Sequence, residues 1–205
     1  MHPDPIQRLI EYFMRLPGVG PRQASRFAYT LLDEDKKTIR GFRDALADLE
    51  TIVGRCEECY RGVERKNGST LCNVCKNNEL SSILVLEKDQ DLENISKSGV
   101  WNGGYHVLGG TISILNEKSR VTDRIKGLYD RVTRRSEKHA PLEIVLATSA
   151  TPEGDSTSLY IERILAPFTE QKKAAITRLG RGISTGAEIE YTDPQTLKNA
   201  FNNRK

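Results

Sequence analysis

Apolar residues follow two different rhythms along this chain, and the change comes near residue 80. Up to residue 54 they recur at helical spacing. Ile6, Leu9, Ile10, Phe13 and Met14 form one stripe, Ala24, Phe27, Ala28, Leu31 and Leu32 a second, and Ile39, Phe42, Leu46, Leu49 and Val53 a third. Three helices are predicted, with Leu16-Pro17-Gly18-Val19-Gly20-Pro21 as the turn between the first two. Beyond residue 80, short apolar runs replace the stripes. Ser82–Leu86, Tyr105–Leu108, Glu143–Thr148 and Ala174–Thr177 read as strands. Helical stretches lie between them, from Lys88 to Ser98, over about 121–138, and from Glu153-Gly154-Asp155-Ser156-Thr157 onward. Strands alternating with helices predict an α/β fold with a mostly parallel, right-handed sheet flanked by helices.

Composition narrows the function. The chain has 205 residues, enough for one domain plus smaller modules. No apolar run approaches the ~20 residues of a membrane span. Met1-His2-Pro3-Asp4-Pro5 lacks the pattern of a secretory signal, so a cytoplasmic protein without a membrane partner is expected. The 31 basic residues nearly balance the 28 acidic ones. Nucleic-acid contact must therefore come from local placement of charge or from several copies acting together. Residues 120–138 hold a local excess: Arg120, Arg124, Lys126, Arg131, Arg134, Arg135 and Lys138 against Asp123, Asp130 and Glu137. It reads as a solvated helix face.

The four cysteines fall in one stretch, Cys56-x2-Cys59-x12-Cys72-x2-Cys75. Two residues between paired thiolates let both turn onto one metal, and two such knuckles complete a tetrahedral site. Disulfides need an oxidising compartment, and a redox pair would be one CxxC rather than two. One structural Zn2+ is expected, because four thiolates leave no open position for water or substrate. Lys66-Asn67-Gly68-Ser69 reads as the turn between the knuckles.

The L-P-G-V-G-P turn carries a second chemistry. Gly18 and Gly20 permit unusual backbone angles and close approach of a partner. Pro21 suits the first position of the next helix, whose free N–H groups then face outward. Arg22 and Arg26, one turn apart, add positive charge to the same face. The turn resembles the helix-hairpin-helix motif, which grips a DNA phosphate without reading bases; an ordinary αα-hairpin is the alternative.

In parallel sheets, function collects at the carboxyl ends of the strands. Glu87 ends the first predicted strand, and Glu153 and Asp155 follow the third. The arrangement resembles the Toprim domain of topoisomerases and primases, where such acids bind Mg2+. Helix capping accounts for Glu153 and Asp155 as well, and Mg2+ is not expected. His106 and Trp101 are read as packed residues.

Taken in order, the helix-hairpin-helix, four-cysteine site, Toprim-like sheet and glycine-rich tail (178–191, R-L-G-R-G-I-S-T-G-A-E-I-E-Y) resemble the RecR family of bacterial recombination mediators. V-L-E-K-D-Q-D at 85–91, Y-H-V-L at 105–108 and E-G-D-S-T-S-L-Y-I at 153–161 also carry the match. Asp155, Ser184 and the short charged loop after Ile114 depart from the family pattern. The expected modules are a DNA-binding hairpin at 1–55, a zinc finger at 56–79, a Toprim-like domain at 80–177, and a tail at 178–205 offered to oligomer contacts. The resemblance implies a non-enzymatic role in recombinational DNA repair, nucleoid-associated while repair proceeds. Such proteins act with RecO, and in many bacteria RecF, to load RecA onto single-stranded DNA, and form dimers and tetrameric rings around duplex DNA. It implies DNA contact at Gly18, Gly20, Arg22 and Arg26, and RecO contact at Glu87 and Asp91, with Glu153 and Asp155 on the same acidic edge. A Mg2+-dependent Toprim nuclease or topoisomerase-like enzyme, and a zinc-stabilised adaptor that binds only protein, are the alternatives.

Overall fold

The three helical stripes fold as α1 (Asp4–Met14), α2 (Pro21–Asp33) and α3 (Lys36–Thr51). This is a computed structural model, and it describes residues 3–65, 68–76, 80–112, 119–138 and 141–204. The chain divides into two compact units, residues 1–53 and 54–205. In the first unit, α1 and α2 pack through Ile10, Ala24 and Ala28, with Ile6, Phe13 and Val19 around them. The two alanines let the helix backbones approach, and Phe13 meets Phe27 edge to face at 5.6 Å. Asp35 caps α3 by accepting from the Thr38 N–H at 2.6 Å. Yet α3 buries no residue within this unit. Ile39, Phe42, Leu46 and Leu49 are 39–60% exposed, and the first three help line an apolar groove of about 760 Å³.

The second unit begins with a small ribbon, β1 (Val53–Arg55) against β2 (Gly62–Glu64), and a single helical turn, α4 (Asn73–Lys76). Lys66 and Asn67 of the expected turn lie outside the described residues, as does the loop at 113–118. Then come β3 (Ser82–Leu86), α5 (Asp89–Ser98), β4 (Gly104–Val107), α6 (Arg120–Ser136), β5 (Leu142–Ala147), α7 (Pro152–Glu170) and β6 (Ala174–Arg178). The four strands from β3 onward form one parallel sheet in the order β4-β3-β5-β6. Strand periodicity sorts the core. Ile83 and Val85 join Ile144 and Leu146 against α6 and α7. Leu84 and Leu86 face the other way, with Tyr105, Val107 and Leu92 of α5. Both faces are covered, as a parallel sheet requires. The chain goes from β3 outward to β4, then returns across to β5. The topological switch therefore lies between β3 and β5, where doubly wound sheets open a crevice.

A helix not expected from the pattern, α8 (Pro194–Asn202), ends the chain. Asp193 caps it, accepting from Gln195 and Thr196 N–H groups at 3.0 Å each. No described helix is long and apolar enough to cross a membrane.

Candidate metal centre and nucleic-acid interface

Backbone geometry brings the cysteines together. The Cys56 N–H donates to the Arg61 carbonyl and the Tyr60 N–H to the Cys56 carbonyl, each at 2.9 Å. Tyr60 closes this first knuckle at φ +62°. The second knuckle runs into α4. All four Sγ atoms lie within 4.8 Å of one another, and all four residues are buried. Cys59 and Cys72 sulfurs are 3.7 Å apart. A tetrahedral site with metal–sulfur bonds near 2.3 Å requires about 3.8 Å, so the quartet fits such a metal. It is the one metal-sized group of three or more His, Cys, Asp or Glu ligand atoms among the described residues. Hydrogen bonds from Cys59, Cys72 and Cys75 hold Cys56 far below the ordinary thiol value. Those with Cys56, Cys59 and Cys72 push Cys75 far above it.

The finger rests on the sheet through α6, and here the expected solvated face is corrected. Arg124, Arg131 and Arg135 are buried, because the finger and the β4 carbonyls cover that side of the helix. Arg131 is fully buried and donates to the Tyr105 carbonyl at 2.6 Å and to the Cys75 sulfur at 3.4 Å. Glu58, inside the first knuckle, lies 3.5, 3.6 and 3.3 Å from Arg131, Arg134 and Arg135. The Val107 N–H donates to the Cys59 carbonyl at 2.9 Å. Tyr60 lies with its ring edge to face with His106 at 5.3 Å and under the Arg124 guanidinium at 5.2 Å. Its hydroxyl abuts α6 where Gly127 leaves room; a Cβ there would meet it at 2.1 Å. His106 is packed: its Nε2 pairs with the Arg124 carbonyl at 2.9 Å. Burial, then Arg131, pushes its pKa down to about 3. Trp101 packs on the α5 side of the sheet and donates to the Gly104 carbonyl.

At the switch point the acids part company. Glu87 is buried, and its two oxygens accept from the N–H and hydroxyl of Ser149 at 2.7 and 2.8 Å. Asp91 accepts from the Lys88 N–H at 2.9 Å at the start of α5. Asp155 is paired with Arg181 of the tail at 3.1 Å and with Arg178 at 3.6 Å. The hydrogen bond from Arg181 holds the Asp155 carboxyl below its ordinary value. Glu153 is exposed. Glu87, Glu153 and Asp155 thus do not converge as a Mg2+ cradle: each belongs to a different local arrangement.

In the first unit, Gly18 adopts φ +78° and requires glycine on backbone grounds. Gly20 does not: at φ −85° and ψ 171° it is ordinary extended backbone. Both face open space, with nothing within 4 Å of a Cβ added at either. No side chain caps α2, so its first N–H groups stay available. Arg22 and Arg26 are exposed, and Ala24 and Ala28 hold the opposite face of α2 in the core.

Sequence reasoning missed Glu58, Arg131, Ser149 and Arg181. For the first two a signal was present. An acid sits inside the first CxxC, and arginines at 131, 134 and 135 recur at i, i+3 and i+4.

Comparison with known proteins agrees with this architecture. Residues 6–49 match the helix-hairpin-helix of RecR, residues 81–179 the Toprim domain, and residues 182–205 the C-terminal region of RecR. The recombination protein RecR of Prochlorococcus marinus strain MIT 9312 is 37% identical over 98% of this chain and 95% of its own length. That of Synechococcus sp. strain WH7803 is 37% identical over 98% and 96%. That of Lactobacillus helveticus strain DPC 4571 is 34% identical over 99% and 98%. The chain belongs to the RecR family of recombination proteins.

Proposed function

We propose that this protein is a non-enzymatic mediator of recombinational DNA repair that holds DNA through its hairpin and keeps its shape with one structural zinc ion. The observation that carries the reading is the start of α2. There an uncapped helix end, an unobstructed Gly18–Gly20 turn and two exposed arginines present N–H groups and positive charge together. Such a surface suits phosphate, and it offers no built-in reader of base edges. Zinc is the metal that four thiolates at this spacing favour.

What the structure leaves uncovered supports self-association. Ile39, Phe42, Leu46, Leu49 and Val53 recur at intervals of 3 and 4 along one exposed seam. In the tail, Ile189, Tyr191 and Phe201 are exposed as well. A ring of such copies sums a few phosphate contacts per protomer, which reconciles DNA binding with a near-neutral charge. Within that assembly the protein acts with RecO, and RecF where it occurs, to load RecA in the cytoplasm. The edge that carries Asp91, Glu153 and Asp155, with Glu87 buried there as a support on Ser149, is the surface assigned to RecO. Single- and double-stranded DNA are both substrates for the hairpin.

Salt-dependent DNA binding tests the reading. Two phosphate contacts at a slope of about 0.9 each contribute about 1.8 to the dependence of log affinity on log salt. Between 50 and 200 mM salt that amounts to about 12-fold in affinity per engaged protomer. Arg22→Ala with Arg26→Ala is expected to flatten the slope by this amount. A double variant with an unchanged slope and affinity would refute the assignment.

A further inference from the structure

Outer hydrogen-bond donors decide how firmly a thiolate site holds its metal, because each N–H directed at a sulfur stabilises the negative charge the metal must share. The finger supplies most of these donors itself. The Cys72 N–H points to the Cys56 sulfur and the Cys75 N–H to the Cys72 sulfur, each at 3.3 Å. Cys75 is different. Its donor is the guanidinium of Arg131, 56 residues away on α6.

We infer that Arg131 is a positioning residue of the metal centre: it completes the outer shell of the thiolates from outside the finger and makes metal retention depend on the docking of the finger against α6 and β4. This rests on the reading of the quartet as a zinc site. Three observations support it. Arg131 is wholly buried, a placement that a guanidinium tolerates only when paired. Its nitrogens are divided among three elements: one to the β4 carbonyl of Tyr105, one to Cys75 in the second knuckle, and Nε toward Glu58 in the first. The charges also match. Four thiolates on a divalent cation carry two negative charges and Glu58 a third, beside the two buried guanidiniums of Arg131 and Arg135.

The coupling runs both ways. A docked α6 stabilises the loaded finger, and a loaded finger neutralises a cation inside the α/β unit. The finger is thus a load sensor for the sheet as much as a local scaffold.

The test uses the full-length protein. Zinc content is measured first, then the rate of zinc transfer to a chromogenic chelator is followed for wild type, Arg131→Met, Arg131→Lys and Arg134→Met. Outer-shell losses typically weaken metal binding by about 10- to 100-fold, so Arg131→Met is expected to release zinc faster by that order. Arg131→Lys is expected to fall between, because an ammonium keeps the charge but cannot reach three partners. Arg134→Met removes an exposed arginine that contacts Glu58 without touching sulfur, and is expected to release zinc at the wild-type rate. Where Arg131→Met is insoluble, Arg131→Lys with Co2+ in place of zinc carries the test. Its thiolate-to-cobalt charge-transfer bands are expected to shift from wild type, while those of Arg134→Met stay in place. Release rates or band positions for the Arg131 variants equal to wild type would overturn the inference. Wild-type protein without metal would instead overturn the zinc reading beneath it.

Discussion

Replacing Glu87 separates two meanings of a carboxylate at the switch point of a Toprim sheet. As a metal ligand, Glu87 would need its charge; as a hydrogen-bond acceptor, it needs its oxygens. The structure places both oxygens on Ser149, at 2.7 Å from the N–H and 2.8 Å from the hydroxyl. In Glu87→Gln, the amide oxygen still accepts the N–H, and the amide NH2 donates to the hydroxyl oxygen. What is lost is charge assistance, the difference between about 1.5–3 and about 0.5–1.5 kcal/mol per bond. At the lower bounds, which apply beside an exposed Ser149, the variant should lose about 2 kcal/mol over the two bonds. Glu87→Ala removes both bonds, but Ser149 is exposed and takes water in their place. The lower bound therefore applies, giving about 3 kcal/mol. Urea unfolding followed by the fluorescence of Trp101, the single tryptophan, reports on the α/β unit alone. That choice matters in a chain of two compact units, where a global transition need not be two-state. Millimolar Mg2+ is expected to leave the wild-type midpoint in place. A Mg2+-induced rise that vanishes in Glu87→Gln would refute the reasoning and revive metal-dependent chemistry at this edge.

Two further outcomes follow from the same geometry. Leu46→Glu places a charge in the middle of the exposed α3 seam; light scattering after size exclusion should show a smaller assembly, and an unchanged mass would remove the seam from the oligomer contact. Asp155→Asn breaks the pairing with Arg181. Because the folded carboxyl titrates below its ordinary 3.8, the pairing stabilises the protein above that pH and is lost as pH falls through the lower folded value. The gap in urea midpoint between wild type and Asp155→Asn should therefore be present at pH 7 and close at acid pH; a gap undiminished at pH 3 would contradict the ion pair.

The sheet was legible because its strands are buried on both faces, so Ser82–Leu86 and Glu143–Thr148 stand out as short apolar runs whatever their neighbours do. The cysteine quartet was legible for a different reason: the spacing of a knuckle is a local property of the chain. Contacts over long separations were not legible. Ser149 is unremarkable in sequence and meets Glu87 from 62 residues away. Helix α8 escaped because only the cap Asp193-Pro194 announces it; its apolar stripe is short. Arginines 124, 131 and 135 were misread as a solvated face, since charge patterning along one helix cannot reveal that another module will cover it.

That misreading shows how charge is used in the α/β unit. Polar residues at positions where a Toprim sheet could do chemistry are instead tied into supports: Glu87 to the strand end at Ser149, Asp155 to Arg181, and Arg131 to the finger. Arg181 extends the pattern, since its carbonyl also accepts from Asn203 at 2.8 Å, pinning the end of the tail beside α7. Asp89 does the same at the start of α5, where it receives Arg55 at 2.6 and 2.7 Å beside the finger ribbon. The ties through Arg131, Asp89 and Asp155 each join a module that has little core of its own to the one sheet that has plenty. The finger packs Val63, Leu71 and Val74 around its cysteines, and the tail exposes its large apolar residues. The proposed role of holding DNA needs those modules aimed rather than merely folded. Long-range ion pairs and hydrogen bonds, each modest in free energy, supply direction that a small apolar core cannot.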